Sequence, residues 1–476
     1  MKLPFSHALT ALAIITPSLA PSSLPAQEDL LITGGQLIDA VTDGAIRNPG
    51  LLLRAGKILR IGLGDGTLDL DRATMIVLDD DEYILPGLFD LHAHHAMDLF
   101  GQGRIDERTG YPSIFLANGV TSVFPGGEMN PVEMRELRLR IERGAEPGPR
   151  LFNSGPYFGR WRPGWTDISA DSIAAEVDYW VNQGARGFKA KSISPKHLQA
   201  LIEAAHRRGV TVTGHLDSGF RGSVNPRDAI LMGIDRVEHF LGGDAILGDR
   251  SAYRSLENLD PGTPEFEDIA ALYIRHGVFF DATLTAYGYY GERDPEVFTY
   301  FHDEMRYLTP YMREIIEARE PRAVSDQFER IYWVKRKTVK AFYDAGGGHL
   351  ITLGTDHPSW GEFFTGFSSH RELHAMSLAG IPNIDVIRIG TINGARALGV
   401  SDRLGTIEAG KLADLIVLHA NPLENIRNSN TISMVMKNGD LFDGDTLQML
   451  WPEERPAPET GFQGADPAGL GGEVRR

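Results

Sequence analysis

The sequence predicts an α/β protein with a (β/α)8 TIM barrel over residues 84–403 and a small β-sandwich domain built from both chain ends. One observation is a repeated unit of helix, glycine and short apolar strand, as in "RGVTVTGH" (208–215) and "HGVFFDATL" (276–284). A second is the alternation of apolar and polar residues in the flanking segments 29–83 and 404–447. Strands that alternate with helices favour a parallel sheet, and a period of two is typical of half-buried strands.

The repeated units predict eight strands, which end near His92, Phe124, Asn153, Lys189, His215, His239, Thr283 and Asp356. Helix starts are marked by Ser194, Asn225 and Thr263, each a capping residue followed by proline. Eight units over about 310 residues suit a barrel with an insertion, which we place at about 243–330. The alternative is an open doubly wound sheet, but the sequence lacks the glycine-rich phosphate loop that this fold requires after an early strand.

The two β-rich segments, 29–83 and 404–447, are each too short to enclose a core. We therefore expect them to pair into one small domain, although they lie at opposite ends of the barrel sequence. The last residues, 451–476, are rich in proline, glycine and charge, which predicts a disordered tail.

The first 26 residues have the features of a signal peptide. Lys2 supplies the positive charge, residues 8–15 ("ALTALAII") supply the apolar core, and Ala26 is a small residue suited to cleavage. An amphipathic starting helix is the alternative. The apolar run is too short to span a membrane in the mature protein, so we expect a periplasmic or secreted protein without stable membrane insertion after cleavage.

The composition excludes several classes of function. The chain of 476 residues has a formal net charge of −17, so it would repel phosphate, and we expect no nucleic-acid partner. It contains no cysteine, which excludes disulfides, thiol catalysis and thiolate metal ligands. Any metal must be bound by histidine, carboxylate or a modified lysine. The partners that we expect are a small-molecule substrate and further copies of this chain in a homo-oligomer.

The polar residues at the predicted strand ends are of types that bind metal. They are His92 and His94 on strand 1, Lys189 on strand 4, His215 on strand 5, His239 on strand 6 and Asp356 on strand 8. Each can be explained alone, since a buried histidine is usually a hydrogen-bonded core residue and a lysine can belong to an internal ion pair. The joint pattern favours a metal site, because the strands direct these groups to the end of the barrel where catalytic residues lie.

Four imidazoles and a carboxylate are too many ligands for one catalytic zinc ion, which keeps a position open for water. Two divalent ions, zinc or a similar metal, account for the set better. Lys189 would bridge them only as a carbamate formed with carbon dioxide, because an ammonium beside two dications is repelled and its pKa must fall. Lys191 faces the same side of the strand and is the alternative bridging residue.

With these residues the chain resembles the amidohydrolase superfamily, in its binuclear branch with a carboxylated lysine, and most of all the prolidase-like and imidazolonepropionase-like groups. The matching motifs are "LPGLFDLHAH" (85–94), "GARGFKAK" (184–191), "VTVTGH" (210–215), "GIDRVEH" (233–239), "LGTD" (353–356), "TINGARALGV" (391–400) and "LGTIEAGKLADLIVLHANPL" (404–423). The resemblance implies that one metal is held by His92, His94 and Asp356, the other by His215 and His239, and that Lys189 bridges both. The sequence departs from the usual motifs at 186–187 and 216–217, so the substrate contact after strand 5 is not carried over.

The resemblance implies a metal-dependent hydrolase that cleaves an amide bond of a small molecule such as a dipeptide, an N-acyl amino acid or a cyclic amide. Two metals would activate a water, and Asp356 would accept its proton and deliver it to the leaving nitrogen. Arg160 and Arg162, in the aromatic loop 155–165, would bind a substrate carboxylate, although loop packing explains them equally well. The alternatives are a lactonase, a mononuclear deaminase of the same superfamily, or a catalytically silent periplasmic binding protein.

Overall fold

The computed structural model describes residues 29–456 apart from 64–72, 98–104, 107–109, 161, 163, 217–222, 240, 242–255, 258, 289–293, 299–324 and 358–365. The predicted signal peptide and residues 457–476 of the predicted tail lie outside the described residues. The tail begins in a paired conformation, since Trp451 ends a strand and the backbones of Met449 and Arg455 exchange two hydrogen bonds of 3.0 Å. The prediction of disorder is therefore wrong for residues 451–455.

Nineteen strands, labelled β1 to β19 in chain order, form in the described part of the chain. They are Asp29–Leu37, Ile46–Arg47, Pro49–Arg54, Lys57–Leu63, Ala73–Pro86, Leu88–Ala93, Ala96–Met97, Ile105–Asp106, Val120–Pro125, Arg150–Leu151, Gly187–Lys191, Thr211–His215, Arg236–Glu238, Phe279–Asp281, Ile351–Thr352, Leu415–Leu418, Ile432–Lys437, Asp440–Asp443 and Met449–Trp451. The first five and the last four belong to the flanking β-rich segments. Those from β6 to β15 belong to the central α/β region.

Twelve α-helices, α1 to α12, are found among the described residues. They are Tyr111–Ala117, Pro131–Glu142, Ala170–Asn182, Pro195–Arg207, Pro226–Met232, Pro264–His276, Leu284–Gly288, Pro295–Phe298, Asp326–Asp344, Phe367–Leu378, Asn383–Arg388 and Gly394–Ala397. The predicted caps of α4, α5 and α6 are confirmed, because the side chains of Ser194, Asn225 and Thr263 each accept a hydrogen bond from a backbone N–H in the first turn. Within the described ranges, none of the helices is long and apolar enough to cross a membrane.

The central region is a TIM-barrel-like α/β domain with parallel strands. One sheet has the strand order β10–β9–β6, and a second has the order β11–β12–β13–β14–β15. Hydrogen bonds connect the two sheets at both sides: Leu91 N donates to Leu353 O at 2.9 Å, and Phe158 N donates to Lys189 O at 2.8 Å. The eight predicted strand ends lie between two residues before and four residues after the carboxyl ends of these strands, so this side of all eight strands carries the residues singled out from the sequence.

The helices of this region bury one apolar face against the strands. In α4, Leu198, Leu201, Ile202 and Ala205 are at most 2% exposed, as the period of the helix predicts. The segment 243–330, predicted to be an insertion, contains α6 and β14, which continue the alternation of helix and strand. The predicted insertion therefore includes part of the α/β repeat.

The flanking segments pair into one nine-stranded sheet, with β2 attached to β1 and the order β19–β18–β17–β16–β5–β1–β3–β4. The junction between the two chain ends is the antiparallel pair of β16 and β5, in which Leu415 faces Pro86 and Leu418 faces Tyr83. Buried leucine, isoleucine and valine side chains on one face of this sheet form a hydrophobic core of their own. The pairing of both ends follows the prediction, and the division into two sandwich layers stays a prediction.

Candidate metal centre

The predicted histidines and Asp356 converge at the carboxyl ends of the parallel strands. The ring centroid of His92 lies 5.4 Å from that of His94 and 4.8 Å from that of His239, and the rings of His215 and His239 are 4.7 Å apart. The Asp356 carboxylate is central, with Oδ1 at 2.8 Å from His94 Nε2 and Oδ2 at 3.9 Å from His239 Nε2. The structure therefore brings these five predicted ligands together.

One group of donor atoms within this cluster fits a divalent metal. The side chains of His92, His94 and Asp356 offer ligand atoms that all lie within 4.8 Å of one another, and His92 Nε2 is 3.4 Å from Asp356 Oδ1. Two ligands bound tetrahedrally at about 2.1 Å from zinc lie about 3.4 Å apart. The spacing and the chemistry of the two imidazoles and one carboxylate thus match a metal such as zinc.

A second group shares His92 with the first and adds His239 and Glu238. Glu238 is the last residue of β13 and is fully buried, and its Oε1 accepts a hydrogen bond of 2.9 Å from Thr213 Oγ1. Glu238 is not among the ligands predicted from the sequence. A signal was present, because a carboxylate on a buried strand is rare unless it is paired or bound to a metal.

Lys189 lies between these groups. Its side chain is buried, its Nζ is 3.1 Å from His92 Nε2, and it also forms an ion pair and hydrogen bond with Glu238. Lys191, two residues further along β11, is half-buried and places its Nζ 5.9 Å from the ring centroid of Tyr157. Lys189 therefore contacts His92, which belongs to both ligand groups, and Glu238, which belongs to the second, and this favours it over Lys191 as the bridging lysine.

Burial makes the imidazoles suitable ligands. It lowers the pKa of His92, His215 and His239 well below the usual 6.5, and the nearby lysine cations contribute to this lowering. The rings are therefore neutral at physiological pH, and each has one nitrogen lone pair that can bind metal. Burial acts to raise the pKa of Asp356, but the charged forms of His92 and His239 and the hydrogen bond from His94 bring it well below its ordinary value.

Asp90 positions His92 and Asp356 through hydrogen bonds from the His92 backbone and from Thr355, which precedes Asp356. Its fully buried carboxylate accepts hydrogen bonds from His92 N at 3.1 Å, from Thr355 N at 3.2 Å and from Thr355 Oγ1 at 2.8 Å. Asp356 N, in turn, donates to the His92 carbonyl at 2.7 Å. The first and eighth strands are thereby held in the register that brings His92 and Asp356 together.

The arginines predicted to bind a substrate carboxylate lie on the loop after β10. The Arg162 guanidinium forms a salt bridge of 2.8 Å with Glu176 and lies 5.7 Å and 5.6 Å from the ring centroids of Phe158 and Trp165. These contacts favour the packing interpretation for Arg162. Arg160 is exposed, and its backbone N–H donates to Ser192 O at 3.3 Å. Its role in substrate binding stays a prediction.

Comparison with known proteins gives consistent results. A model of the amidohydrolase family matches residues 83–442. The 5'-deoxyadenosine deaminase of Methanothermobacter thermautotrophicus is 22% identical over 428 residues, which cover 84% of this chain and 87% of that protein. A Xaa-Pro dipeptidase crystallised with methionine in its active site has a TM-score of 0.64 at 22% identity, over 87% of this chain and 100% of the other. A putative prolidase from Bifidobacterium longum has a TM-score of 0.66 at 21% identity, over 91% and 97%.

A substitution at Gly126 tests the first ligand group without changing any of the ligand residues themselves. A Cβ at this position would lie 2.6 Å from His92 Cδ2 and 2.9 Å from His94 Cε1, so Gly126→Ala must displace one of the rings. We expect metal affinity to fall about 10- to 100-fold, as when the groups that orient a ligand are removed. The measurement is metal content and affinity by elemental analysis and chelator competition.

The control is Gly44→Ala, where an added Cβ meets nothing within 4 Å. This variant should bind metal as the parent protein does, at close to two divalent ions per chain. Unchanged metal affinity in Gly126→Ala would contradict the assignment of His92 and His94 as ligands.

Proposed function

The chain belongs to the amidohydrolase family, and from this membership we propose that it hydrolyses an amide bond of a small molecule with the help of two divalent metal ions. The resemblance to the amidohydrolase family is confirmed, and the chain is a metal-dependent hydrolase of carbon–nitrogen bonds; its place in the binuclear branch with a carboxylated lysine stays a prediction. This excludes the catalytically silent binding protein considered above. The substrates that we propose are dipeptides, N-acyl amino acids or cyclic amides.

The observation that carries the proposal is the position of Lys189, whose Nζ contacts both His92 and Glu238. A bridging ligand is required only where two metals share it, although an unmodified lysine can also pair with Glu238 beside a single metal. A neutral amine that adds carbon dioxide forms a new N–C bond, releases a proton and becomes an anion, which can be shared by two dications. We therefore propose two zinc-like ions bridged by a Lys189 carbamate.

Metal ions bound here would supply an activated water and polarise the substrate carbonyl. The chain's own contribution centres on Asp356, which is held by the hydrogen bond from its backbone N–H to His92 O and lies 2.8 Å from His94 Nε2. The carboxylate of Asp356 can accept a proton from the attacking water. It then delivers this proton to the leaving nitrogen, which completes cleavage of the carbon–nitrogen bond.

A mononuclear deaminase is the second candidate. It is favoured by the relative named 5'-deoxyadenosine deaminase, which matches 84% of this chain, and by the ion pair between Lys189 and Glu238, which suits an unmodified ammonium. The dipeptidase and prolidase among the similar structures share the fold with this chain, and their names describe the class of substrate that we propose. The lactonase alternative draws no support from these relatives.

The eight parallel strands, we further propose, close into a complete barrel. The hydrogen bond from Leu91 to Leu353 supports closure between the eighth and first strands, and that from Phe158 to Lys189 supports it between the third and fourth. Closure would direct every strand end toward a common mouth, where a substrate reaches the metal ligands.

A substrate screen separates the two candidates. We expect zinc-loaded protein to cleave members of a panel of dipeptides and N-acyl amino acids, because the second ligand group and Lys189 complete a binuclear site. The panel should include lactones and 5'-deoxyadenosine, with release of amino acid, acid or ammonia as readouts. Ammonia from 5'-deoxyadenosine, with no cleavage of any amide, would replace the proposed function by deamination.

Lys189→Ala tests the bridge itself. We expect this variant to lose one or both metals and most of its activity on the amide found in the screen, because the bridging anion is gone. A short carboxylic acid such as acetate should partly restore metal binding by occupying the vacated space. The control is Lys191→Ala, which should keep both metals; if it loses them while Lys189→Ala keeps them, the bridging lysine is misassigned.

Export is a further proposal, supported by Lys2 and the apolar residues 8–15. We expect protein isolated from its native host to be a homo-oligomer in the periplasm or the medium, and to begin near Gln27. N-terminal sequencing checks this, and cytoplasmic protein with an intact Met1 would contradict it.

A further inference from the structure

Three residues outside the two candidate ligand groups hold His239 in place: Asp281, Thr283 and Lys335. His239 directly follows β13 with a φ of +67°, a left-handed conformation that non-glycine residues seldom adopt. Its backbone N–H donates to Asp281 O at 3.0 Å, and its carbonyl accepts a hydrogen bond of 2.7 Å from Lys335 Nζ. Its ring Nδ1 lies 2.7 Å from Thr283 Oγ1. Strain of this kind persists only where the surroundings hold the residue firmly.

The hydrogen bonds of Thr283 determine which ring nitrogen of His239 carries the proton. Thr283 Oγ1 is also 2.8 Å from the carbonyl oxygen of Ala282, and a carbonyl can only accept. The single hydroxyl hydrogen therefore points to Ala282, and Oγ1 must accept from His239 Nδ1. The opposite assignment would leave two acceptor oxygens 2.8 Å apart with no hydrogen between them.

A proton on Nδ1 leaves the lone pair on Nε2. That nitrogen faces the ligand cluster, at 3.9 Å from Asp356 Oδ2, and His239 belongs to a ligand group with His92 and Glu238. A neutral imidazole can bind a metal only through its unprotonated nitrogen. The tautomer fixed by Thr283 is thus the one in which Nε2 of His239 is available as a ligand.

Lys335 fixes the same residue from the other side. It is buried on α9, and its Nζ lies 4.1 Å from the ring centroid of Tyr287, whose ring packs edge-on against that of His239 at 6.0 Å. The amino group of Lys335 therefore connects an outer helix to the His239 carbonyl and to the aromatic ring beside its imidazole. Movement of α9 relative to β13 would displace the ring from the ligand cluster.

The backbone next to Thr283 is held by hydrogen bonds to Glu372. Thr283 has a φ of +48°, and the next two backbone N–H groups, of Leu284 and Thr285, donate to the Glu372 carboxylate at 2.7 and 2.9 Å. The Thr285 hydroxyl also binds Glu372, at 2.9 Å. Glu372 therefore holds the backbone turn in which Thr283 lies.

We propose that Thr283 and Lys335 are positioning residues, which fix the tautomer and the orientation of His239 and thereby set the affinity of the metal bound at its Nε2. The inference rests on the metal centre of the proposed function, and it concerns metal binding alone. It holds whichever carbon–nitrogen bond the enzyme cleaves.

Thr283→Val removes the hydroxyl and keeps the shape of the side chain. In metal-free protein labelled with 15N-histidine, we expect the His239 signal to show a proton on Nδ1, and this preference to be lost in Thr283→Val. Zinc affinity at one of the two sites should fall about 10- to 100-fold, as for other residues that orient a ligand. Thr283→Ser restores the hydroxyl and should return both the NMR signature and the affinity to those of the parent protein.

Two further variants make the result specific. Lys335→Met keeps the length of the side chain but removes the amino group, and we expect it to weaken zinc binding at the same site. Thr391→Val removes an equally buried hydroxyl, which donates to Ile387 O at 2.7 Å, and it should leave zinc affinity unchanged. If Thr391→Val weakens zinc as much as Thr283→Val does, the effect is general destabilisation and the proposal is wrong.

A parent protein with the proton on Nε2 of His239, or a Thr283→Val variant with unchanged zinc affinity, would equally overturn the proposal. The experiment is independent of the reaction. Loss of zinc affinity in Thr283→Val alongside failure of every amide in the screen would support the positioning role and refute the proposed substrate class.

Discussion

The compensation of buried charge is the constraint on which the rest of this structure depends. Beneath the ligand cluster, Arg236 forms a salt bridge of 2.9 Å with Asp281 and donates to the Leu91 carbonyl at 2.9 Å, while Lys189 pairs with Glu238. An isolated charge in such an interior costs several kcal/mol, so neither pair can lose one member without a large penalty. Because the partners come from different strands, these pairs also fix the strands relative to one another, and with them the ligands above.

Four of the nine non-glycine residues with positive φ in the described part of the chain lie near the same place. Ser192, His239, Thr283 and Asp356 have φ values of 51°, 67°, 48° and 56°, and each lies directly after a strand of the second sheet or a few residues beyond it. Each such conformation costs on the order of 1–3 kcal/mol, so it must be offset by local hydrogen bonds. At Asp356 the bond to His92 O does this, and at His239 the bonds to Asp281, Lys335 and Thr283 do. The strained turns direct polar side chains toward the mouth of the strands.

The sequence predicts well which polar side chains converge, because the signal is local: a histidine or aspartate at the end of an apolar strand is visible within one segment. The interactions that position the ligands are not local. The contact of Lys335 with His239 spans 96 residues, and that of Glu238 with Lys189 spans 49, so both depend on how separate strands and helices align. For Arg162 the loop sequence suggested a substrate contact, and only the fold reveals Glu176 beside it, which favours packing. Residue types and spacing predict strand ends, while partners on different strands and helices require the register.

The pairing of Lys189 with Glu238 has a consequence for the proposed carbamate. Without metal, an ammonium at Lys189 is stabilised by the Glu238 carboxylate and by the short distance to His92 Nε2. Addition of carbon dioxide would replace that cation by an anion and place two negative groups side by side in a buried space. Coulomb repulsion at this distance is strong when the effective dielectric constant is low, so the carbamate is unfavourable until dications neutralise it. Under the proposed function, carbamate formation and metal binding must therefore be linked, each raising the affinity for the other. When no metal is bound, the ion pair with Glu238 would keep Lys189 in its unmodified form.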